Sequence, residues 1–276
     1  MKFKKFLSLG LALALAGSLA ACATKKDSGT TGSTDTKKED KVITVGASPS
    51  PHAEILEKVV KPLLQKEGYT LNIKVFDDYV LPNTALDEGS IDANYFQHVP
   101  YLNETIKEKG YNLTYTVKVH IEPIRAYSDK LTKLADIKDG AQVAVPNDAT
   151  NEARALKLLE KNGLIKLKEG DLVTVKDITE NTKKLKFTEV EAAQLPTVLK
   201  DVDVAVINTN VALAAKLDVN KALAVEDKDS PYANILAVKK GNENSDKIKA
   251  LGKALNSPEV KKYIEDTYKG SIVAAF

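Results

Sequence analysis

The apolar positions along residues 41–276 change period repeatedly, and the changes mark alternating strands and helices. "KVITVGAS" (41–48) is a short apolar run that ends in turn residues and predicts a buried strand. "PHAEILEKVVKPLLQKEG" (51–68) carries Ile55, Leu56, Val59, Val60, Leu63 and Leu64 at helical spacing and stops at Gly68. "LNIKVF" (71–76) alternates and predicts a strand. "LPNTALDEG" (81–89) predicts a short helix opened by Pro82, and "IDANYF" (91–96) the next strand. The same order recurs about a hundred residues later. "AQVAVPND" (141–148), "TNEARALKLLEKNG" (150–163), "DLVTVKDIT" (171–179), "EAAQLPTVLKD" (191–201) and "VDVAVIN" (202–208) predict strand, helix, strand, helix and strand.

Two copies of strand–helix–strand–helix–strand predict two α/β lobes, each with a largely parallel sheet. "VHIEPIRAYS" (119–128) and "PYANILAVKK" (231–240) flank the second copy and fit two chain crossings between the lobes. Two helices near 245–255 and 257–268 would return to the first lobe. The expected division is lobe 1 over 41–122 plus 237–276 and lobe 2 over 123–236, with a ligand cleft between them. Parallel sheets bind ligands at the carboxyl ends of their strands, so the cleft is read from the strand ends.

The first 40 residues do not belong to this pattern. Lys2, Lys4 and Lys5 precede the apolar run "FLSLGLALALAGSLA", as in a secretory signal covering 1–21. It ends in "LAAC", which looks like a bacterial lipobox, making Cys22 the expected lipidation site and new N-terminus. Cys22 is the only cysteine, so no intramolecular disulfide can form. Residues 22–40 hold no large apolar side chain and read as a flexible tether. The protein is therefore expected outside the cytoplasm, held to a membrane by lipid. Without the three signal lysines the chain has 37 basic and 38 acidic residues, so its charge argues against a nucleic-acid partner.

One wall of the predicted cleft is aromatic. Alternation in "IDANYFQH" puts Tyr95 and Phe96 on opposite faces. Phe96 and His98 share a face and are assigned to the cleft with Tyr79, and Tyr95 to the core. The other wall is rich in amides and holds one of only two arginines in the chain, Arg154. Arg154 lies about one turn into a helix, where the macrodipole favours an acid. A guanidinium kept beside free helix N–H groups makes an anion site, and a carboxylate is the fitting anion because no Gly-rich phosphate loop is present. Asn208 and Asn234 are placed to orient a ligand amino or carboxylate group, and Asn210 reads as a turn former. Arg125, on the first crossing, reads equally as a structural salt-bridge partner.

The blocks "VFDDYVLPNTAL", "IDANYFQHVPYL", "VHIEPI", "VPNDATNEARALKLLE", "AVINTN" and "YANILAV" resemble the NlpA/MetQ family of bacterial lipoproteins over essentially the whole chain. The resemblance implies a type II periplasmic-binding-protein fold and a methionine ligand, or a close relative such as D-methionine or a methionine dipeptide, delivered to the permease of an ABC importer. It implies that Arg154 holds the α-carboxylate, that Asn208 and Asn234 hold the polar head, and that Tyr79, Phe96 and His98 enclose the side chain. It implies no cofactor. A rival reading takes the three histidines, His52, His98 and His120, as the ligands of a transition-metal-binding lipoprotein. An enzyme is not expected, because the chain has no G-x-S-x-G, H-E-x-x-H or P-loop motif.

Overall fold

The computed structural model describes residues 41–276. The signal, the tether and Cys22 lie outside the described residues. The chain opens with β1 (Val42–Ala47) and the π-wide turns Pro49–Ala53 and Leu56–Val60, which run into α1 (Lys61–Lys66). β2 (Thr70–Val75), α2 (Leu81–Asp87), β3 (Ala93–His98), α3 (Val99–Lys109) and β4 (Leu113–Ile121) follow. After a first crossing come β5 (Arg125–Tyr127), β6 (Gln142–Pro146), α4 (Ala149–Lys161), β7 (Lys166–Leu167), β8 (Ile178–Glu180) and β9 (Lys186–Val190). α5 (Leu195–Val198), β10 (Val204–Ile207), α6 (Thr209–Ala214) and β11 (Ala224–Val225) complete this part. The chain returns through β12 (Ala233–Lys239), α7 (Asp246–Leu255), α8 (Pro258–Tyr268) and β13 (Val273–Ala274).

The first sheet runs β13-β4-β12-β3-β1-β2 and the second β11-β5-β10-β6-β9. In the second, Val143 and Val145 of β6 and Val204 and Val206 of β10 enter the core on one face. Ala144, Ala205 and Ile207 enter the core on the other. Strands covered on both faces read as continuous apolar runs, which is how "AQVAV" and "VDVAVI" are written. The C-terminal helices pack Ile248, Leu251, Val260 and Ile264 against the core of the first sheet.

Four details differ from the expectation. The sheets are mixed rather than largely parallel, because β12, β4 and β13 join the first sheet antiparallel and β5 and β11 join the second antiparallel. Residues 171–177 are not a strand: Thr174 and Asp177 close a capping box around the short helical turn Val175–Asp177. Only the end of the segment is extended, as β8, which pairs with β7 in a separate two-stranded sheet, and β9 takes the parallel place beside β6. α3 was not foreseen. It begins where Tyr101 N–H donates to His98 Nδ1 (3.1 Å), a side-chain cap supplied by the last residue of β3. The lobe boundary expected at 236/237 moves back, because β12 pairs with β3 and β4 from its first residues onward.

Candidate functional site

β3, β12 and the start of α4 bring the predicted residues together. Asn234 pairs with His98 across the β3–β12 ladder and with His120 across the β4–β12 ladder. A cavity lies where these strand ends meet α4 and α6. Tyr79, Phe96, His98, Arg154, Asn208 and Asn234 all line it. Gln97, Tyr101, Glu122, Asn151, Thr209 and Asn210 complete the lining.

The aromatic side is a packed set. Tyr79 lies 6.0 Å from Phe96 and 5.9 Å from Tyr101, ring centre to ring centre. Tyr101 Oη–H donates to the Tyr79 carbonyl at 2.9 Å. Tyr95 points the other way and is fully buried in the core, as alternation required. His98 Nδ1 accepts from Tyr101 N–H, so Nε2 carries the proton and donates to Asn151 Oδ1 at 3.1 Å. Burial, helped by the nearby Arg154 charge, pushes the His98 pKa down to about 3, and the ring is neutral at ordinary pH.

The polar side is more extensive than the sequence suggested. Arg154 Nε donates to Glu226 Oε1 at 2.8 Å, and Nη2 donates both to Glu226 Oε2 and to the Glu122 carbonyl. The Tyr232 ring covers the guanidinium at 4.3 Å. Among the described residues Nη1 has no hydrogen-bond partner, unlike Nε and Nη2. At the helix N-terminus the Asp148 carboxylate acts as the cap, accepting from Asn151 N–H and Nδ2. Asp148 is the acid that the macrodipole favours, and Glu226 balances the arginine. Asn208 Nδ2 donates to Asn151 Oδ1 at 2.8 Å, whereas Asn208 Oδ1 is buried without a partner. An orphaned buried acceptor is costly unless a donor reaches it.

Asn210 is more than a turn former. Its Oδ1 accepts from Tyr79 Oη–H at 2.7 Å, and its N–H donates to Glu122 Oε2 at 2.9 Å. Among the described residues Arg125 has no carboxylate hydrogen-bond partner. It donates to the carbonyls of Pro123 (2.8 Å) and Ser271 (3.0 Å) and to Thr209 Oγ1 (2.6 Å). It therefore ties the first crossing to the C-terminal segment.

The three histidines do not form one metal site. His98 belongs to the cavity wall, whereas His52 and His120 flank Glu122 beneath it. Nε2 of His120 and of His52 approach Glu122 Oε1 at 2.6 and 3.2 Å. Asn234 Oδ1 lies 2.9 Å from His52 Nε2, so that nitrogen faces two acceptors and carries the proton. Their Nδ1 atoms meet Ser48 Oγ and Tyr95 Oη, each at 2.6 Å. Ligand atoms of His52, His120 and Glu122 lie within 4.8 Å of one another. Each already has a hydrogen-bond partner in the protein, and the group is a relay from Ser48 to Tyr95. Burial lowers the His52 pKa to about 4. Burial pushes the Glu122 carboxyl up, but His52, His120 and Arg154 reverse this and hold it below its ordinary value.

Glu226 and Tyr101 escaped the sequence reading. A lone acid on a return segment has no periodic signature. The spacing of Tyr101 three residues after His98, at a helix start, was the available sign for the tyrosine.

Two large sheets, two crossings and a cavity with a polar and an aromatic side define a two-lobe solute-binding protein of the type II class. The NlpA lipoprotein family model matches residues 43–276, and the chain belongs to that family. It is 41% identical over 277 residues, 99% of this chain and 98% of the relative, to a protein of Salmonella typhi described as a D-methionine-binding lipoprotein, MetQ. It is 42% identical, over 98% of each chain, to a Bacillus subtilis methionine-binding lipoprotein, MetQ. Among solved structures it is similar to a Burkholderia cenocepacia nutrient-binding protein bound to methionine. That likeness has a TM-score of 0.82 and 49% identity, and covers 85% of this chain and all of that one. A periplasmic substrate-binding protein of an ABC transporter from Coxiella burnetii is 44% identical with a TM-score of 0.81, over 84% of this chain and all of that one.

Proposed function

We propose that the protein captures free methionine between its lobes and delivers it to an ABC importer. The observation that carries this reading is the polarity of the cavity described above. At one end stand a guanidinium nitrogen without a protein partner and the orphaned Asn208 Oδ1. At the other stand the rings of Tyr79, Phe96, His98 and Tyr101. The ligand carboxylate goes to Arg154, and the ammonium to Asn208 Oδ1, with Asn234 alongside. The thioether goes to the rings, where each sulfur–aromatic contact contributes about 0.3–1.5 kcal/mol. The site binds without chemistry. The relatives named as methionine-binding support the choice of side chain.

In this reading Cys22 carries lipid and residues 22–40 tether the lobes to the membrane. Among the described residues no helix is long and apolar enough to cross one. The lobes hinge on residues 122–125 and on the return segment 226–232. Calorimetric titration of refolded protein with L-methionine, D-methionine and a glycyl-methionine dipeptide tests the function. Micromolar or tighter binding of at least one is expected, and binding of none overturns it. A mature N-terminus other than a lipidated Cys22, read by mass spectrometry, overturns the anchor assignment.

A further inference from the structure

Glu226 does not line the cavity, yet it makes closer contact with Arg154 than any other side chain does. Its N–H donates to the Ile124 carbonyl at 3.0 Å, and its Oε2 accepts from Ile124 N–H at 3.3 Å. The residue thus grips the first crossing through backbone and side chain together. The same carboxylate takes Nε and Nη2 of Arg154, and both side chains are largely buried, 14% and 3% exposed. A two-toothed grip of this kind fixes both the position and the plane of a guanidinium. What remains for the cavity is Nη1.

The formal charges at the cleft floor balance. Arg154 and Arg125, the only arginines of the chain, bring two positive charges. Glu122 and Glu226 bring two negative ones, and both interact electrostatically with Arg125. Asp148, close by, caps the positive end of α4, which offsets it. A zwitterion entering this floor leaves the buried charge at zero. A monoanion of the same shape leaves one buried negative charge uncompensated, which is costly in a site shielded from water.

From this geometry we infer that Glu226 is the positioning residue that aims Arg154 and sets the charge selectivity of the cleft, favouring zwitterionic amino acids over the corresponding anions. The inference rests on the methionine reading above. The informative probe pair is L-methionine and its 2-hydroxy analogue, 2-hydroxy-4-(methylthio)butanoate. In the analogue a hydroxyl replaces the ammonium at nearly the same size, so the molecule is an anion. Removing the charge with Glu226→Gln keeps the side-chain shape and leaves the floor one unit positive.

The test is calorimetry of both probes on the wild type, Glu226→Gln and Glu226→Asp. The wild type is expected to prefer methionine by about tenfold or more, the equivalent of one lost charge-assisted contact. In Glu226→Gln that ratio is expected to fall by about tenfold, because the anion is now compensated. Glu226→Asp keeps the charge and is expected to keep the ratio, although both affinities fall as the shorter side chain loosens its grip. A residue that only supported the fold would weaken both ligands alike and leave the ratio unchanged. An unchanged ratio in Glu226→Gln overturns the assignment. So does a wild type that binds both probes equally, a result that needs no variant to fold. If the wild type binds neither probe, the methionine reading fails and takes the selectivity with it. If it binds methionine and the ratio persists in Glu226→Gln, the selectivity alone fails.

Discussion

Arg154→Lys isolates what the guanidinium does beyond its charge. Arg154→Ala would leave the Glu226 carboxylate nearly buried and unpaired, a disturbance of about 3–5 kcal/mol for a fully buried pair, and would mix folding with binding. Lysine keeps the positive charge but offers one nitrogen where arginine uses three. In the native site Nε and Nη2 hold Glu226 and the Glu122 carbonyl while Nη1 is left for the cavity. An ammonium cannot hold the crossings and reach the ligand at once. The expected loss in binding is one charge-assisted hydrogen bond, about 1.5–3 kcal/mol, or roughly 10- to 150-fold in Kd. The assay is calorimetry with L-methionine on protein refolded from denaturant, so that the cleft is cleared of any co-purified amino acid. A parallel thermal melt should fall by only a few degrees, since about 1 kcal/mol shifts Tm by roughly 2–4 °C at this size. A variant that binds methionine within about threefold of wild type would refute the assignment of Arg154 to the ligand carboxylate.

Tyr79→Phe removes the 2.7 Å bond to Asn210, which joins the aromatic wall to α6. Methionine affinity should fall by about 3- to 12-fold, the equivalent of roughly 0.5–1.5 kcal/mol, and an unchanged Kd would show that the bond is not part of the bound state. Gly46→Ala should lower stability by about 1–3 kcal/mol, because its Cβ would lie 2.8 Å from Ile91 Cδ1 and 3.0 Å from the Phe76 ring; a denaturant midpoint equal to wild type would contradict this. Stability should also fall with acid. His52 and His98, held neutral with pKa values of about 4 and 3, each take up a proton on unfolding below their ordinary 6.5. Their contribution is complete above pH 6.5 and declines as pH falls, by up to about 1.4 kcal/mol per unit for each ring. Glu152, pushed up to about 7 mainly by burial, works in the opposite direction: its contribution is present at low pH and is lost as pH rises from 4.5 to 7. Urea midpoints from pH 7 to 5 should therefore decline with a net slope near one proton, and more steeply in Glu152→Gln. An identical slope in that variant would refute the opposing role of Glu152.

The sequence made the two lobes legible because each strand and helix carries its own period. Alternation alone separated Tyr95 from Phe96, and the strand-end rule gathered Tyr79, His98, Arg154, Asn208 and Asn234 around one cavity. It misled where local chemistry overrode the pattern. "DLVTVKDIT" looks like a strand, but the Thr174–Asp177 box turns it into a helical corner. "VPYLNETIKEK" is too polar to announce α3, which depends on a cap from His98 and on packing of Leu102. Glu226 could not be found by any local rule, since its partners Ile124 and Arg154 are 102 and 72 residues away.

The relay beneath the cavity also acts on the assembly of the first sheet. β4 presents His120 to Tyr95 of β3 and to Glu122, and β12 lies between β4 and β3 with Asn234 bonded to His52. A slip of β4 by one residue would send His120 to the opposite face and leave the Glu122 carboxylate buried without its donors. Purely apolar strands could slide with little penalty, whereas these polar groups mate in one alignment only. Ser48, His52, Glu122, His120 and Tyr95 thus serve as alignment pins for the strands whose ends form the cleft.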